Sequence, residues 1–327
     1  MRLSHIGAIA LSALGLIWAG APAQAQNYPD RTITIVVPLA PGSGLDTVVR
    51  IYADRLSQVF GKPVIVENKP GAALMLAATA VSHAAPDGYT LMVSTSSAMA
   101  INLVLYKQVN YAVTDFEPVS FYLKSPFILV VNPDLPAKTV PELIKLAKQS
   151  ATPLNFSSPG AGSAQHLSGE YMKKRFGINM THVPYRSTPQ SIQDIVANQV
   201  QLGFAEAGVA LPLIRDGKLR ALAVSASTRL SSLPDVPPFA EAANAPGFEA
   251  VSWHRLFAPA GTPKPIIDRL HAEMDKIMAD PEIKQKIVTI GLLPIDPPSI
   301  ADTQKYLAAE REKWGSLVKQ LGLEGSQ

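Results

Sequence analysis

The chain contains no cysteine. That excludes disulfides, thiolate nucleophiles and cysteine-ligated metal in one step. Aromatic residues make up only 7% and are not interleaved with any basic stripe, so nothing argues for a nucleic-acid partner. Charge of either sign is scarce. Lys and Arg number 29 against 26 Asp and Glu, giving a formal charge of +3, and one positive unit is Arg2 at the N-terminus. No G-x-S-x-G is present, so there is no nucleophile elbow. The six histidines have no H-E-x-x-H spacing and no local carboxylate cluster, which argues against a metal site. No catalytic set, metal site or cofactor is expected. After the N-terminal segment, no apolar run reaches membrane-spanning length.

What remains is 327 residues, 47% hydrophobic and 17% charged. Such a chain can bury substantial cores, and its length suggests two domains. Its start has the form of a secretion signal. Arg2 supplies the positive end, Ile6 to Gly20 is apolar, and Ala23-Gln24-Ala25 fits the A-x-A cleavage rule. Cleavage is expected after Ala25, leaving a soluble periplasmic protein starting at Gln26. Neither a twin Arg nor a lipobox Cys is present.

Strand-like and helix-like runs then alternate without internal repeats. TITIVV, PVIVEN and YTLMVS read as strands, with Asp46 to Phe60 and Leu74 to Ala85 as helices between them. A second series follows. Phe127 to Pro133 reads as a strand, Val140 to Gln149 as a helix, then LNFSS, a helix from Ser163 to Phe176, MTHVPY, a helix from Pro189 to Asn198, VQLGF and LRALAVS. Ser231 to Pro238 reads as irregular. EAVSWHRLFAP is another strand, and helices from Pro263 to Ala279 and Ile300 to Leu321 close the chain. This βαβ rhythm implies mostly parallel sheets covered by helices. The expected α/β architecture has two lobes, 26–126 with 255–327 and 127–254. FILVV and SWHRLFAP form the two crossings of a hinge. Ligands of such sheets bind outside the carboxyl ends of the strands.

Three loops follow strands and are rich in small or hydroxyl residues. The first, Pro38 to Gly44, contains Gly42, Ser43 and Gly44 and leads into Asp46, read as a helix N-cap. Strand, loop and capped helix aim backbone N–H groups at an anion. Two other readings stay open: a turn without a ligand, and a dinucleotide fingerprint, since Gly42-x-Gly44-x-x-Thr47 nearly matches G-x-G-x-x-G with Glu67 at the end of the next strand. Ser157 to Ser163 is the counterpart in the second series, with Ser158, Gly160, Gly162 and the cap Ser163. Thr95, Ser96 and Ser97 follow YTLMV in the same way. Glu206 after VQLGF and Trp253 at the hinge are further cleft candidates. His166 and His182 read as helix-start or structural histidines. His254 and Arg255 are unexpected, since a cation in an apolar strand needs a partner.

With these loops in view, the chain resembles the periplasmic receptors of tripartite tricarboxylate transporters, the Bug or TctC family. The resemblance rests on VVPLAPG from Val36 onward to Asp46, VENKPGA at Val66 to Ala72, APDGYTL at Ala85 to Leu91, VVNPDLPAKTVPELI, SSPGAGS with HLSGE, HVPY, GKLRALAVS, LPDVP and APAGTPKP. It implies a type II periplasmic binding protein that closes on a small carboxylate, delivers it to TctA/TctB-type permease subunits and is not an enzyme; a monomer is expected. It also implies ligand contacts from Pro38 to Asp46, Gly71 to Leu74 (with Ala73), Thr95 to Ser97, Ser158 to His166 and Tyr185-Arg186-Ser187. Micromolar affinity is about −8 kcal/mol, and hydrogen bonds to a charged group contribute roughly 1.5–3 kcal/mol each. Several backbone and hydroxyl donors could meet that requirement without a dedicated Arg. A ligand sensor for a membrane histidine kinase is the other function considered.

The chain departs from the family pattern at several of these positions. Gly42-Ser43 precedes Gly44-Leu45, the second loop reads Gly71-Ala72-Ala73-Leu74-Met75, Ala205-Glu206 follows VQLGF, and His254-Arg255 follows the hinge Trp. These residues point to a ligand with an apolar or aromatic body. Leu45, Leu74 and Met75 are expected to face that body, and Arg186 or Arg255 to pair with an outer carboxylate.

Overall fold

The computed structural model describes residues 28–295 and 298–327; the expected leader and its cleavage site lie outside the described residues. Apolar, β-branched runs form the strands of the first half: β1 (Ile33–Val37), β2 (Val64–Asn68) and β3 (Thr90–Thr95). Between them run α1 (Gly44–Phe60) and α2 (Met75–Ser82). β1 pairs parallel with both β2 and β3, so each connection is a helical crossover. A π-helical turn at Ser97–Ile101 leads into the short α3 (Asn102–Leu105).

Next comes one long strand, β4 (Phe116–Val131), which carries the chain into the second half. There α4 (Val140–Gln149), β5 (Leu154–Ser158), α5 (Ala164–Phe176), β6 (Met180–Pro184), α6 (Thr188–Val196), β7 (Leu202–Glu206), α7 (Ala207–Arg215) and β8 (Arg220–Val224) repeat the alternation. The short α8 (Phe239–Ala242) precedes β9 (Val251–Pro259), which returns to the first half. The remainder is α9 (Lys264–Ala279), α10 (Pro281–Thr289), the two-residue β10 (Leu293–Pro294) and α11 (Ile300–Leu321).

The strands order as β2-β1-β3-β9-β4-β7-β5-β6, with β8 and β10 also pairing with β4. β4 and β9 run antiparallel from Phe116↔Pro259 to Pro126↔Val251. Beyond Pro126, β4 pairs instead with β7 and β8. One strand thus belongs to both halves of the sheet.

Local chemistry explains the helix starts. Ser43, not Asp46, caps α1: its Oγ accepts from the Asp46 N–H at 3.2 Å, while Asp46 Oδ2 accepts from the Gly42 N–H at 3.0 Å. Ser43 thus caps the helix while Asp46, three positions on, reaches back to the residue before the cap. Thr139, Ser163, Ser187 and Ser299 cap α4, α5, α6 and α11. α1 ends at Gly61, whose φ of 61° is the left-handed conformation of a helix C-cap. Leu45, Val48, Val49, Tyr52 and Leu56 lie along one side of α1 and are buried against β1 and α9.

α11 ties the two halves together. Leu307 joins the core that holds Trp253 and Phe257, whereas Trp314 and Val318 join the core of the second half, beside Ile101, Leu105 and Phe156. Its Glu310, 7% exposed, accepts from the indole N–H groups of Trp253 and Trp314, each at 3.0 Å. Replacing Glu310 by Ala leaves two buried donors without that acceptor. Glu310→Ala should destabilise the protein by about 2–5 kcal/mol in urea denaturation, and Glu310→Gln, which keeps an acceptor oxygen, by distinctly less.

Candidate ligand cleft

The carboxyl ends of β1, β3, β5 and β7 converge, together with the middle of β9, on two adjoining cavities. The inner one is lined by Thr95, Ser97, Phe127, Ser163, Gln165, Glu206, Ser252 and His254, with Leu39, Ala73, Leu74 and Pro159 to Ala161 above them. It has about 440 Å³ of atom-free space, part of it open to solvent. The outer cavity shares Leu39, Ala73, Leu74 and the Pro159 to Ala161 loop, and adds Pro38, Gly71, Tyr106, Tyr185 and Arg186. The halves touch across this space. The Gly44 N–H donates to Glu206 Oε2 at 3.0 Å, while the Tyr106 hydroxyl, packed on the second half's core, donates to Ala161 O at 3.1 Å. The Gly44–Glu206 hydrogen bond holds the two walls of the cleft together.

Each loop is held by its own hydrogen bonds. Gly160 (φ 132°) and Gly162 (φ 82°) give the second loop backbone angles that L side chains rarely adopt. A Cβ on Gly162 would lie 2.6 Å from Asn102 Oδ1. Ser158 Oγ donates to Gly160 O at 3.0 Å and lies 2.7 Å from His182 Nε2. Ser163 Oγ donates to Gly160 O and accepts from the His166 N–H. His166 Nδ1 in turn accepts from the Gly162 N–H at 3.3 Å. The His166 and His182 rings stack at 4.1 Å beside Phe156. Burial holds both histidines neutral, His166 at about 3 and His182 at about 4, helped by the nearby Lys173 charge. They brace the loop, as structural histidines would.

Electrostatically the inner cavity is unusual in what lines it. His254 is 2% exposed, and burial pushes its pKa down to about 3, so it is a neutral ring. Glu206 is 5% exposed. Burial pushes its carboxyl up to about 7, opposed by the single Gly44 N–H. Among the described residues, no Lys or Arg lines this inner space; Arg186, exposed, lines the outer cavity.

A family model described as the tripartite tricarboxylate transporter family receptor, TctC, matches residues 48–323. The chain belongs to that family. It is similar to an adipate-bound protein from R. palustris, at 32% identity and a TM-score of 0.87, covering 90% of this chain and 98% of that one. It is similar to the periplasmic binding protein BugD, at 31% identity and a TM-score of 0.86, covering 91% and 99%. It is also similar to MatC from Rhodopseudomonas palustris with bound malate, at 32% identity and a TM-score of 0.83, covering 89% and 100%. The receptor therefore has the periplasmic binding protein fold expected from its sequence. The family and these neighbours are substrate-binding receptors rather than enzymes. Among the described residues, no helix is long and apolar enough to cross a membrane.

The structure gathers much of the expected set around the two cavities: Pro38, Gly71, Ala73, Leu74, Thr95, Ser97, Gly160, Ser163, Tyr185, Arg186 and Glu206. Others support the cleft from behind. Gly42, Ser43 and Asp46 are spent on the α1 cap, and Asp46 also binds Arg50 and Asn68. The Gly44 amide meets Glu206 rather than open space. Ser96 Oγ lies 3.0 Å from Ser252 Oγ, Ser158 and Gly162 hold their loop, and Ser187 caps α6. His166 is buried with its Nδ1 occupied.

Four expectations of facing the cleft give way to packing. Leu45 is fully buried in the core under α1. Met75 packs with Ala77, Ala78 and Trp253 rather than lining either cavity. On β9, Trp253 and Arg255 point to α11: Trp253 reaches Glu310, and the Arg255 guanidinium donates to Thr303 O at 3.0 Å and lies over the Tyr306 ring. Ser252 and His254, on the opposite face of the same strand, line the inner cavity instead. The sequence reading named His254 only as an unexpected residue, spanned Leu39 and Gln165 within its loop ranges, and omitted Ser252 and Phe127. The period of two pairs Ser252 with His254 and Trp253 with Arg255, but burial of the whole strand hides which pair meets the cavity.

Glu206 gives this site a pH signature. Its folded pKa of about 7 lies above the ordinary 4.5, so the folded protein holds a proton that the unfolded chain has released. The stability this residue contributes is complete below about pH 4.5 and is lost as pH rises through about 7. Denaturation of wild type and Glu206→Gln at pH 4.5 and pH 8 should show wild type losing on the order of 3 kcal/mol relative to the variant across that window. A constant difference would mean that the carboxyl is not desolvated.

Proposed function

We propose that the receptor captures a small carboxylate with an apolar or aromatic body between two lobes and delivers it to membrane permease subunits of the TctA/TctB type. The observation that carries this reading is the pair of adjoining cavities between strand ends of both halves. Their walls combine Leu39, Leu74 and Phe127 with the hydroxyls of Thr95, Ser97 and Ser163, and Arg186 stands at the outer end. Apolar walls with few polar groups are the usual composition of a small-ligand site. Family membership supports the receptor role, and the adipate- and malate-bound neighbours support carboxylates as the ligand class.

The lobes in this proposal are 26–126 with 255–327 and 127–254, exported behind a leader cleaved after Ala25. Their hinge runs through β4 and β9 near Pro126 and Val251, where β4 changes partners. Because α11 packs on both halves, its last turns would bend or slide on opening. The protein works as a monomer in this scheme. The Gly44–Glu206 contact across the cleft opens to admit the ligand and re-forms around it.

A thermal-shift panel tests the ligand class. At a hundredfold excess over Kd, a bound ligand adds about 2.7 kcal/mol, a Tm rise of roughly 5 °C for a protein of this size. Carboxylates with aromatic or aliphatic bodies should give that rise and citrate should not. Stabilisation by citrate alone would sink the apolar-body reading. Deleting the receptor should abolish uptake of a stabilising ligand. Intact uptake with a lost transcriptional response would instead favour a histidine-kinase partner.

A further inference from the structure

Glu206 ends β7 at the deep side of the inner cavity. One carboxyl oxygen is held by the Gly44 N–H, the first amide of α1. That is where a helix N-terminus would otherwise receive a ligand's anion. The other oxygen has no hydrogen-bond partner among the described residues. No ion pair to Glu206 forms among them either. Around it stand a neutral imidazole, His254, and the ring of Phe127, which pairs with Glu206 in register. Arg186 lies at the other, outer end of the joined cavities. The cleft therefore has opposite charges at its two ends, with a cation at the mouth and an acceptor-only carboxylate at the floor once ionised, and apolar walls between.

Resting on the carboxylate-receptor reading above, we propose that Glu206 is a specificity-determining residue: it admits carboxylates whose far end carries a hydrogen-bond donor and rejects those ending in a second carboxylate. The ligand's carboxylate lies toward Arg186 and its donor, a hydroxyl, amide or ammonium group, meets the free oxygen of Glu206. A second carboxylate at the floor would face a like charge in a water-poor space, which costs more than the contact returns. A site built around a buried acceptor discriminates strongly against partners that cannot satisfy it.

Calorimetry at pH 8 with matched pairs tests the assignment. The probes are adipate against 6-hydroxyhexanoate and adipate monoamide, and terephthalate against 4-(hydroxymethyl)benzoate. Wild type should bind the donor-ended member of each pair at least tenfold more tightly. Glu206→Gln, which keeps an acceptor for Gly44 but removes the charge, should bring the pairs within about threefold. Equal or tighter binding of the diacids by wild type overturns the proposal without any variant, and so does a preference that survives in Glu206→Gln. In either case the receptor reading stands, since carboxylates are bound. If none of the five probes binds wild type, that reading fails and takes this inference with it.

Discussion

The antiparallel pairing of β4 with β9 is the constraint on which the other features hang. A sixteen-residue strand spans both halves, and β9 accompanies it for most of that length. All nine residues of β9 are buried, so both faces are committed. One face, with Trp253 and Arg255, is fixed by α11; the other, with Ser252 and His254, forms the cavity floor. Strands β1, β3, β5 and β7 then stop at this axis, and their loops meet over it. The cleft is a consequence of where a shared strand lets two sheets end.

The second theme is how polar groups are spent there. An anion receptor could leave every helix-start amide free. Here the α1 loop is largely satisfied from within, by Asp46, Ser43 and Glu206. Two stacked, neutral histidines stiffen the opposite loop. Hydroxyls, one amide and apolar walls are left for the ligand, and burial of Glu206 makes the floor sensitive to charge. The first loop thus holds part of the protein itself where a generic anion cradle was expected.

Much of this fold was legible because local signals agreed with the global one. Thr139 and Ser163 cap helices where the sequence predicts them, and the apolar runs became strands. The errors have local causes. Asp46 and Ser43 are both good capping residues three apart, so the pattern did not say which one opens the helix. The start of β4 at Phe116 was hidden by Pro118 and Lys124, and its pairing with Pro259 is remote in sequence. In β9, burial on both sides erases the alternation that would assign faces. That is why Arg255 was expected in the cleft and Ser252 was passed over. The Gly44–Glu206 contact joins residues 162 positions apart, which no local motif encodes.

The central claim is that the two halves close on a carboxylate about the β4–β9 axis. The absence of native cysteine makes a paired-label distance measurement direct. Cysteines at Val59 on α1 and Lys148 on α4, both exposed, would carry spin labels on opposite halves. A broad distance distribution is expected without ligand, collapsing to one shorter distance when a carboxylate that raises Tm is added. The same distribution with and without that bound carboxylate would contradict it.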